Sequence, residues 1–110
     1  MAILAIAVPI LPGKKEMWIK EVLGKMLNEN REETDRVREK AGVHERTFLQ
    51  ETPDGDFVII TLEGDNPEDG WGKIMQSMSP ELQKIIAEIH GMDLDAPPPP
   101  LPKLIYDSKK

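Results

Sequence analysis

Two β-prone runs of this chain are apolar on both faces, and this feature restricts the possible folds more than any other. Residues 2–10 and 57–62 alternate as strands do. In the first run, one face carries Leu4, Ile6, Val8 and Ile10, and the other carries Ile3, Ala5 and Ala7. In the second run, Val58, Ile60 and Leu62 alternate with Phe57 and Ile59. Because apolar surface is unfavourable in water, both faces of these strands need a cover.

The composition limits the chain to one domain and excludes several classes of partner. A length of 110 residues suits a single domain, 1–110. The net charge of −6, without a basic stripe, opposes binding to nucleic acid and to anionic membranes. No apolar run reaches the roughly 18 residues of a membrane span, and residues 1–11 lack the basic leader and cleavage site of a signal peptide. The absence of cysteine fits a cytoplasmic protein.

Helix and strand signals follow one another in a βαββαβ order. After the first run, the pattern predicts a long helix over residues 14–41 and a hairpin of strands 43–50 and 57–62. Capping residues followed by proline, in Asp65-Asn66-Pro67 and Ser79-Pro80, then start two helices that end near Met78 and Gly91. A polyproline segment, residues 97–100, then leads to a short last strand, residues 103–106. Right-handed crossovers close this order into an α+β, ferredoxin-like fold. It has a four-stranded antiparallel sheet with helices on one face and the first and third strands in the middle.

Helices on one side leave the other apolar face of such a sheet in water. An exposed apolar face of this extent is unusual in a monomer. We therefore expect a homodimer, sheet against sheet, because two-fold pairing of identical faces is the commonest arrangement in soluble oligomers. The alternative is a monomer in which the last strand and the proline segment fold over the open face.

Several segments of the second half resemble a known superfamily. They are Phe48-Leu49-Gln50-Glu51-Thr52-Pro53-Asp54-Gly55-Asp56, Glu63-Gly64-Asp65-Asn66-Pro67 and His90-Gly91-Met92-Asp93-Leu94. Together with the βαββαβ order, they resemble an uncharacterised bacterial branch of the dimeric α+β barrel superfamily, which includes antibiotic-biosynthesis-monooxygenase-like and muconolactone-isomerase-like proteins. The resemblance implies this fold, a homodimer and a cleft between helices and sheet for a small, mostly apolar molecule. It implies no particular reaction, because the superfamily contains unrelated enzymes and binding proteins, and we expect no cofactor.

Polar residues at two places are candidates for catalysis or ligand binding. His44 and Arg46 share one face of the second strand with Phe48, an arrangement suited to binding an anion. The alternative is that both face water at a sheet edge. His90 lies in the last turn of its helix, where the helix dipole favours a protonated imidazole; it is either a capping group or a site residue. Two histidines without the spacing of metal ligands predict no metal site.

The helices supply the remaining candidates. Asn30 and Thr34 continue the apolar stripe of the long helix, so they either contact a ligand or mark a bend near residues 28–31 that leaves them solvated. Gly70 and Gly72 weaken their helix, and a mobile lid is one explanation. A methionine-rich lining suits an elongated apolar ligand, although such residues also serve as ordinary core. The apolar candidates are Trp18, Met26, Trp71, Met75 and Met78.

These observations favour a homodimeric protein that binds a small hydrophobic ligand between helices and sheet. A fatty or aromatic carboxylic acid held by Arg46 or a histidine fits this hypothesis. The rival is a cofactor-independent monooxygenase or isomerase in which His44 or His90 moves a proton. A third alternative is a structural domain without a ligand, whose cleft is filled by its own side chains.

Overall fold

The computed structural model describes residues 2–93, 95 and 100–109 and has an α+β architecture. Its strands are β1 (Ala2–Ile10), β2 (Val43–Thr52) and β3 (Gly55–Gly64). Its α-helices are α1 (Lys15–Met17), α2 (Arg31–Ala41), α3 (Pro67–Ser77) and α4 (Pro80–His90). Two π-helical stretches, π1 (Trp18–Leu23) and π2 (Lys25–Glu29), lie between α1 and α2. No helix among the described residues is long and apolar enough to cross a membrane.

The sheet is antiparallel, and its central strand is β3, in the order β1-β3-β2. Val8 of β1 lies opposite Val58, and Thr47 of β2 lies opposite Ile60. The predicted hairpin is confirmed, because β2 and β3 pair from Thr52 opposite Gly55 onward. The antiparallel pairing of the first and third strands is confirmed. Only β3 lies in the middle of the sheet, however; β1 is an edge strand, because residues 103–106 do not pair with it.

The predicted last strand is not part of this sheet. Residues 103–106 form no strand, and the side chains of Leu104, Ile105 and Tyr106 are exposed. Without burial, these residues gain too little to offset the entropy of ordering, and Pro102 removes a backbone donor just before them. Of the predicted ferredoxin-like arrangement, the α+β class and an antiparallel sheet are confirmed, but the sheet of the described residues has three strands and not the predicted four. The predicted polyproline segment lies outside the described residues except for Pro100.

The helices cover one face of the sheet, as predicted. In the first core cluster, Ile74 of α3 packs with Leu4, Ile6 and Leu62. In the second core cluster, Trp18 of π1 and Ile89 of α4 pack with Ile10 and Val58. The strand residues of both clusters belong to a single face, which we call the inner face. Burial of each such large side chain stabilises the fold by roughly 1.5–3 kcal/mol.

The single helix predicted over residues 14–41 is interrupted. In the π-helical stretches the backbone bonds reach back five residues, as from the N–H of Asn30 to the carbonyl of Lys25 at 2.7 Å. Asn30 then leaves helical geometry, with φ −117° and ψ 27°, which confirms the predicted bend. The wider turns also expose Ile19 and Leu27, which the periodicity assigns to the core, to 36% and 50%.

The helices of the second half begin and end where their sequence predicts. Asn66 Oδ1 accepts a hydrogen bond from the Asp69 N–H at 3.1 Å at the start of α3. Ser79 Oγ accepts one from the Leu82 N–H at 3.2 Å at the start of α4. Gly91, with φ 68°, ends α4 in the left-handed conformation that glycine favours.

Gly70 has a packing role. It is buried in α3, and a Cβ atom there would lie 2.5 Å from Cγ1 of Val43 and 3.1 Å from the carbonyl oxygen of Ala41. A Cβ atom at Gly72 would meet no heavy atom within 4 Å. The close approach of α3 to the connection between α2 and β2 therefore requires glycine at position 70 only.

Candidate functional site

A partly open, largely apolar cavity of about 100 Å³ lies between the inner face of the sheet and the helices. Its floor includes Val8, Val58 and Ile60 from β1 and β3. Several residues predicted as ligand contacts line it: Trp18, Met26, Trp71, Met75, Met78 and His90. A dry cavity of this order accepts a molecule the size of one aromatic ring.

The cavity interrupts the core at its centre. Val8 and Ile60 lie on the inner face and pack against both core clusters, yet both remain only half-buried. They are left partly uncovered because the cavity lies above them. On the opposite wall, π1 and π2 supply Trp18, Val22 and Met26. π-Helical turns recur at functional sites, where they redirect side chains that a regular helix would place elsewhere.

A small polar cluster lies at the edge of this cavity. Nε of Arg38, on α2, donates to Oε1 of Glu45, on β2, at 2.8 Å. The hydroxyl of Thr47 donates to Oε2 of the same carboxylate at 2.6 Å. The Arg38 and Glu45 side chains are 17% and 9% exposed, which makes theirs the least exposed ion pair among the described residues. Each charge therefore depends on the other for its partner.

His90 contributes a neutral imidazole to the lining. Its Nδ1 lies 2.7 Å from the carbonyl oxygen of Pro9 in β1, and since a carbonyl oxygen only accepts, Nδ1 donates. Burial lowers the pKa of His90 from its ordinary 6.5, and the bond to Pro9 opposes this shift only in part. The direction of this shift is opposite to the one that the helix dipole alone predicts. His90 also does not cap its own helix; it connects α4 to β1.

Two open grooves adjoin the cavity. One, of about 310 Å³, is lined by Asn30 and Thr34 together with residues of α4. The other, of about 610 Å³, lies between α2 and the start of β2. Met26 and Arg38 line the cavity and both grooves. Asn30 is exposed and Thr34 half-buried, so these two residues lie at the approach to the cavity and not beneath the helix.

The structure does not bring His44, Arg46 and Phe48 to the cavity. The strand register places all three on the face of β2 that points away from the helices, which we call the outer face. Their predicted common face is correct, but it is the face opposite the cavity. Arg46 lies there 3.6 Å from Glu63, and its side chain is 49% exposed. An anchoring role of Arg46 for a ligand in the cavity is excluded by this placement.

The outer face is largely apolar and exposed. Phe48 of β2 is 51% exposed, Phe57 of β3 is 38% exposed and Ile3 of β1 is 43% exposed. Ala7 and Ile59 lie opposite each other between them. Leu104 lines a groove together with Ile3, at one end of β1, but Leu104 and Ile105 are themselves 60% and 92% exposed.

Sequence reasoning missed Arg38 and Glu45. Arg38 lies among other charged residues of α2, and Glu45 lies between His44 and Arg46. The sequence pattern therefore gave no reason to place either side chain away from solvent. The available signal was the alternation of β2, which sets Glu45 and Thr47 on the face opposite His44. Among the described residues, no group of three or more His, Cys, Asp or Glu side chains is arranged to hold a metal ion.

Comparison with known proteins identifies no relative of this chain. No protein-family model, no curated protein and no solved structure gives a significant match to the chain. The resemblance to the dimeric α+β barrel superfamily therefore stays a prediction.

Proposed function

We propose that this protein binds a small hydrophobic molecule in the cavity between helices and sheet and acts as a homodimer. The observation that carries the proposal is the cavity of about 100 Å³ at the centre of the inner face. The side chains around this cavity lack the dispersion contacts that close packing supplies elsewhere in the core. A bound apolar molecule restores the missing contacts, and both tryptophans of the chain are in position to make them.

The outer face supports the homodimer. Its exposed residues belong to all three strands, so the apolar patch is continuous across the sheet. A second copy of the chain is the occupant that fits best, because a two-fold axis sets identical apolar faces against each other. Arg46 and Glu63 lie on the same face, and their opposite charges permit pairing between copies at its rim.

The test of ligand binding uses the two tryptophans as reporters. Toluene bound in the cavity contacts Trp18 or Trp71 and changes their fluorescence, and mass spectrometry of the purified protein identifies any molecule retained from the cell. Val22→Phe fills part of the cavity, so we expect at least tenfold weaker toluene binding. Leu27→Phe adds a ring at a position that is 50% exposed and is the matched control. Unchanged binding in Val22→Phe, or no response to any apolar molecule, contradicts the proposal.

A second candidate function is proton transfer by His90, in a cofactor-independent isomerase or monooxygenase. The observation that favours it is a neutral imidazole in the lining of an apolar cavity, since a general base must be unprotonated and near its substrate. His44 lies on the outer face and lines the second groove, but it does not line the cavity, so it is less well placed for this role. Turnover of small phenols or lactones that His90→Asn abolishes and His44→Asn leaves intact would support catalysis. Binding of these compounds without turnover would contradict catalysis and favour ligand binding alone.

A further inference from the structure

We propose that the ligand of the cavity is an uncharged molecule with a hydroxyl group, a small phenol or alcohol, which donates a hydrogen bond to Nε2 of His90. The inference rests on the proposed function and specifies the chemical class that the site selects. It depends on the polar members of the lining: His90, Arg38, Glu45 and Thr47.

The hydrogen-bonding state of His90 determines what it can recognise. Nδ1 carries the proton that is donated to the Pro9 carbonyl at 2.7 Å. In a neutral imidazole the other nitrogen, Nε2, then carries a lone pair and only accepts. Burial favours the neutral ring by lowering the pKa of His90. A ligand hydroxyl can donate to this nitrogen, whereas a carboxylate at neutral pH has no proton to donate.

The only guanidinium in the lining is already paired. Arg38 donates to Glu45 at 2.8 Å, and Thr47 donates to the second carboxylate oxygen. A ligand carboxylate that approached Arg38 would lie beside the carboxylate of Glu45, which is 9% exposed. Repulsion between two neighbouring carboxylates in apolar surroundings is unfavourable. The cluster therefore opposes an anionic ligand instead of attracting one.

The rest of the lining limits the size and polarity of the ligand. Val58, Trp71 and Met75 offer apolar contact, and a volume of about 100 Å³ admits one ring or a short chain. One hydroxyl on an otherwise apolar body satisfies both His90 and this surface.

Three ring compounds of similar shape test the inference: phenol, toluene and benzoate. Dissociation constants are measured at pH 7.5 by tryptophan fluorescence and confirmed by calorimetry. We expect phenol to bind at least tenfold more tightly than benzoate and severalfold more tightly than toluene. Benzoate binding as tightly as phenol, or toluene binding as tightly as phenol, would overturn the inference. If toluene binds but phenol shows no preference over it, the inference fails and the proposed function stands. If none of the three compounds binds, both the inference and the proposed function fail.

Two substitutions assign the preference to one nitrogen. His90→Asn keeps an amide N–H near the position of Nδ1 but has no atom at Nε2, so phenol affinity should fall to that of toluene. His90→Gln extends its amide towards the position of Nε2 and should keep part of the preference. Toluene affinity reports whether each variant retains its cavity. A preference for phenol that survives in His90→Asn would show that another group binds the hydroxyl and would overturn the inference.

Discussion

His90 connects the end of α4 to the end of β1. Its Nδ1 donates to Pro9, and beside it the N–H of Leu11 donates to the carbonyl of Ile89 at 2.8 Å. These two hydrogen bonds hold the end of α4 against the end of β1, next to Ile10 and Ile89 of the second core cluster. The same imidazole is the titratable group whose protonation opposes the fold, because burial lowers its pKa.

The pH dependence of stability follows from that direction. In the unfolded chain His90 has its ordinary pKa of 6.5, and in the folded chain the pKa is lower, so the unfolded state takes up a proton first as pH falls. The stabilisation is complete above pH 6.5 and is lost as the pH drops through the folded-state pKa. Urea unfolding at pH 7.5, 6.5 and 5.5 should show decreasing stability.

The matched variants for this experiment are His90→Asn and His44→Asn. The first removes the buried titrating group and should flatten the dependence over this range. The second removes an exposed histidine of the outer face and should leave the dependence as in the original protein. An equally steep dependence in His90→Asn would exclude His90 as its source.

At this scale the sequence identified apolar residues better than charged ones. Trp18, Met26 and Trp71 line the cavity as predicted, because apolar side chains at helical spacing turn toward a core. For β2 the alternation correctly grouped His44 with Phe48, but both faces carry polar residues. Hydrophobicity therefore did not reveal which face meets the helices, and a residue pair that meets only through tertiary contact, Arg38 with Glu45, left no local signal.

Among the elements, α3 shows how one glycine sets a packing distance. A methyl group at Gly70 would meet Val43 at 2.5 Å and the Ala41 carbonyl at 3.1 Å. We expect Gly70→Ala to destabilise the protein by about 1–3 kcal/mol, the usual effect of overpacking. Gly72→Ala meets no atom within 4 Å and should stabilise α3 by up to about 1 kcal/mol through helix propensity. Chemical denaturation measures the free energy of unfolding of both variants. The same change in that free energy for Gly70→Ala and Gly72→Ala would refute the packing role of Gly70.

The helices also show where sequence patterns stop being informative. The starts of α3 and α4 depend on local capping residues, Asn66 and Ser79, and were predicted. The π-helical stretches were not, because a period of 3.6 residues was assumed throughout residues 14–41. Apolar residues such as Ile19 and Leu27 fit that period and nevertheless lie at the surface.

For the molecule as a whole, the outer face predicts self-association. Phe48, on the edge strand β2, is 51% exposed on this face, and Phe48→Lys would set a charge against its own copy across a two-fold axis. We expect the original chain to sediment as a dimer at micromolar concentration and Phe48→Lys as a monomer of 12.4 kDa. Ile105→Lys is the control, because Ile105 is exposed outside the sheet. A monomeric original chain would refute the homodimer.

The fold class was predictable at this scale, whereas the extent of the sheet was not. The order of elements up to His90 follows from the Pro, Gly and capping residues that start and end each helix and strand. The α+β class follows from that order. Whether residues 103–106 join a sheet depends on contacts far along the chain, and Leu104 and Tyr106 are β-prone whether or not they find such contacts.

The π-helical stretches make the cavity depend on residue number as well as on residue type. Each turn of π1 and π2 closes over five residues where an α-helical turn closes over four. The direction in which Trp18 points, relative to Met26, is thus fixed by how many residues separate them. Loss or gain of one residue in this segment would rotate Trp18 relative to Met26 and so change the shape of the cavity wall. Substitution of side chains alone would not produce this change.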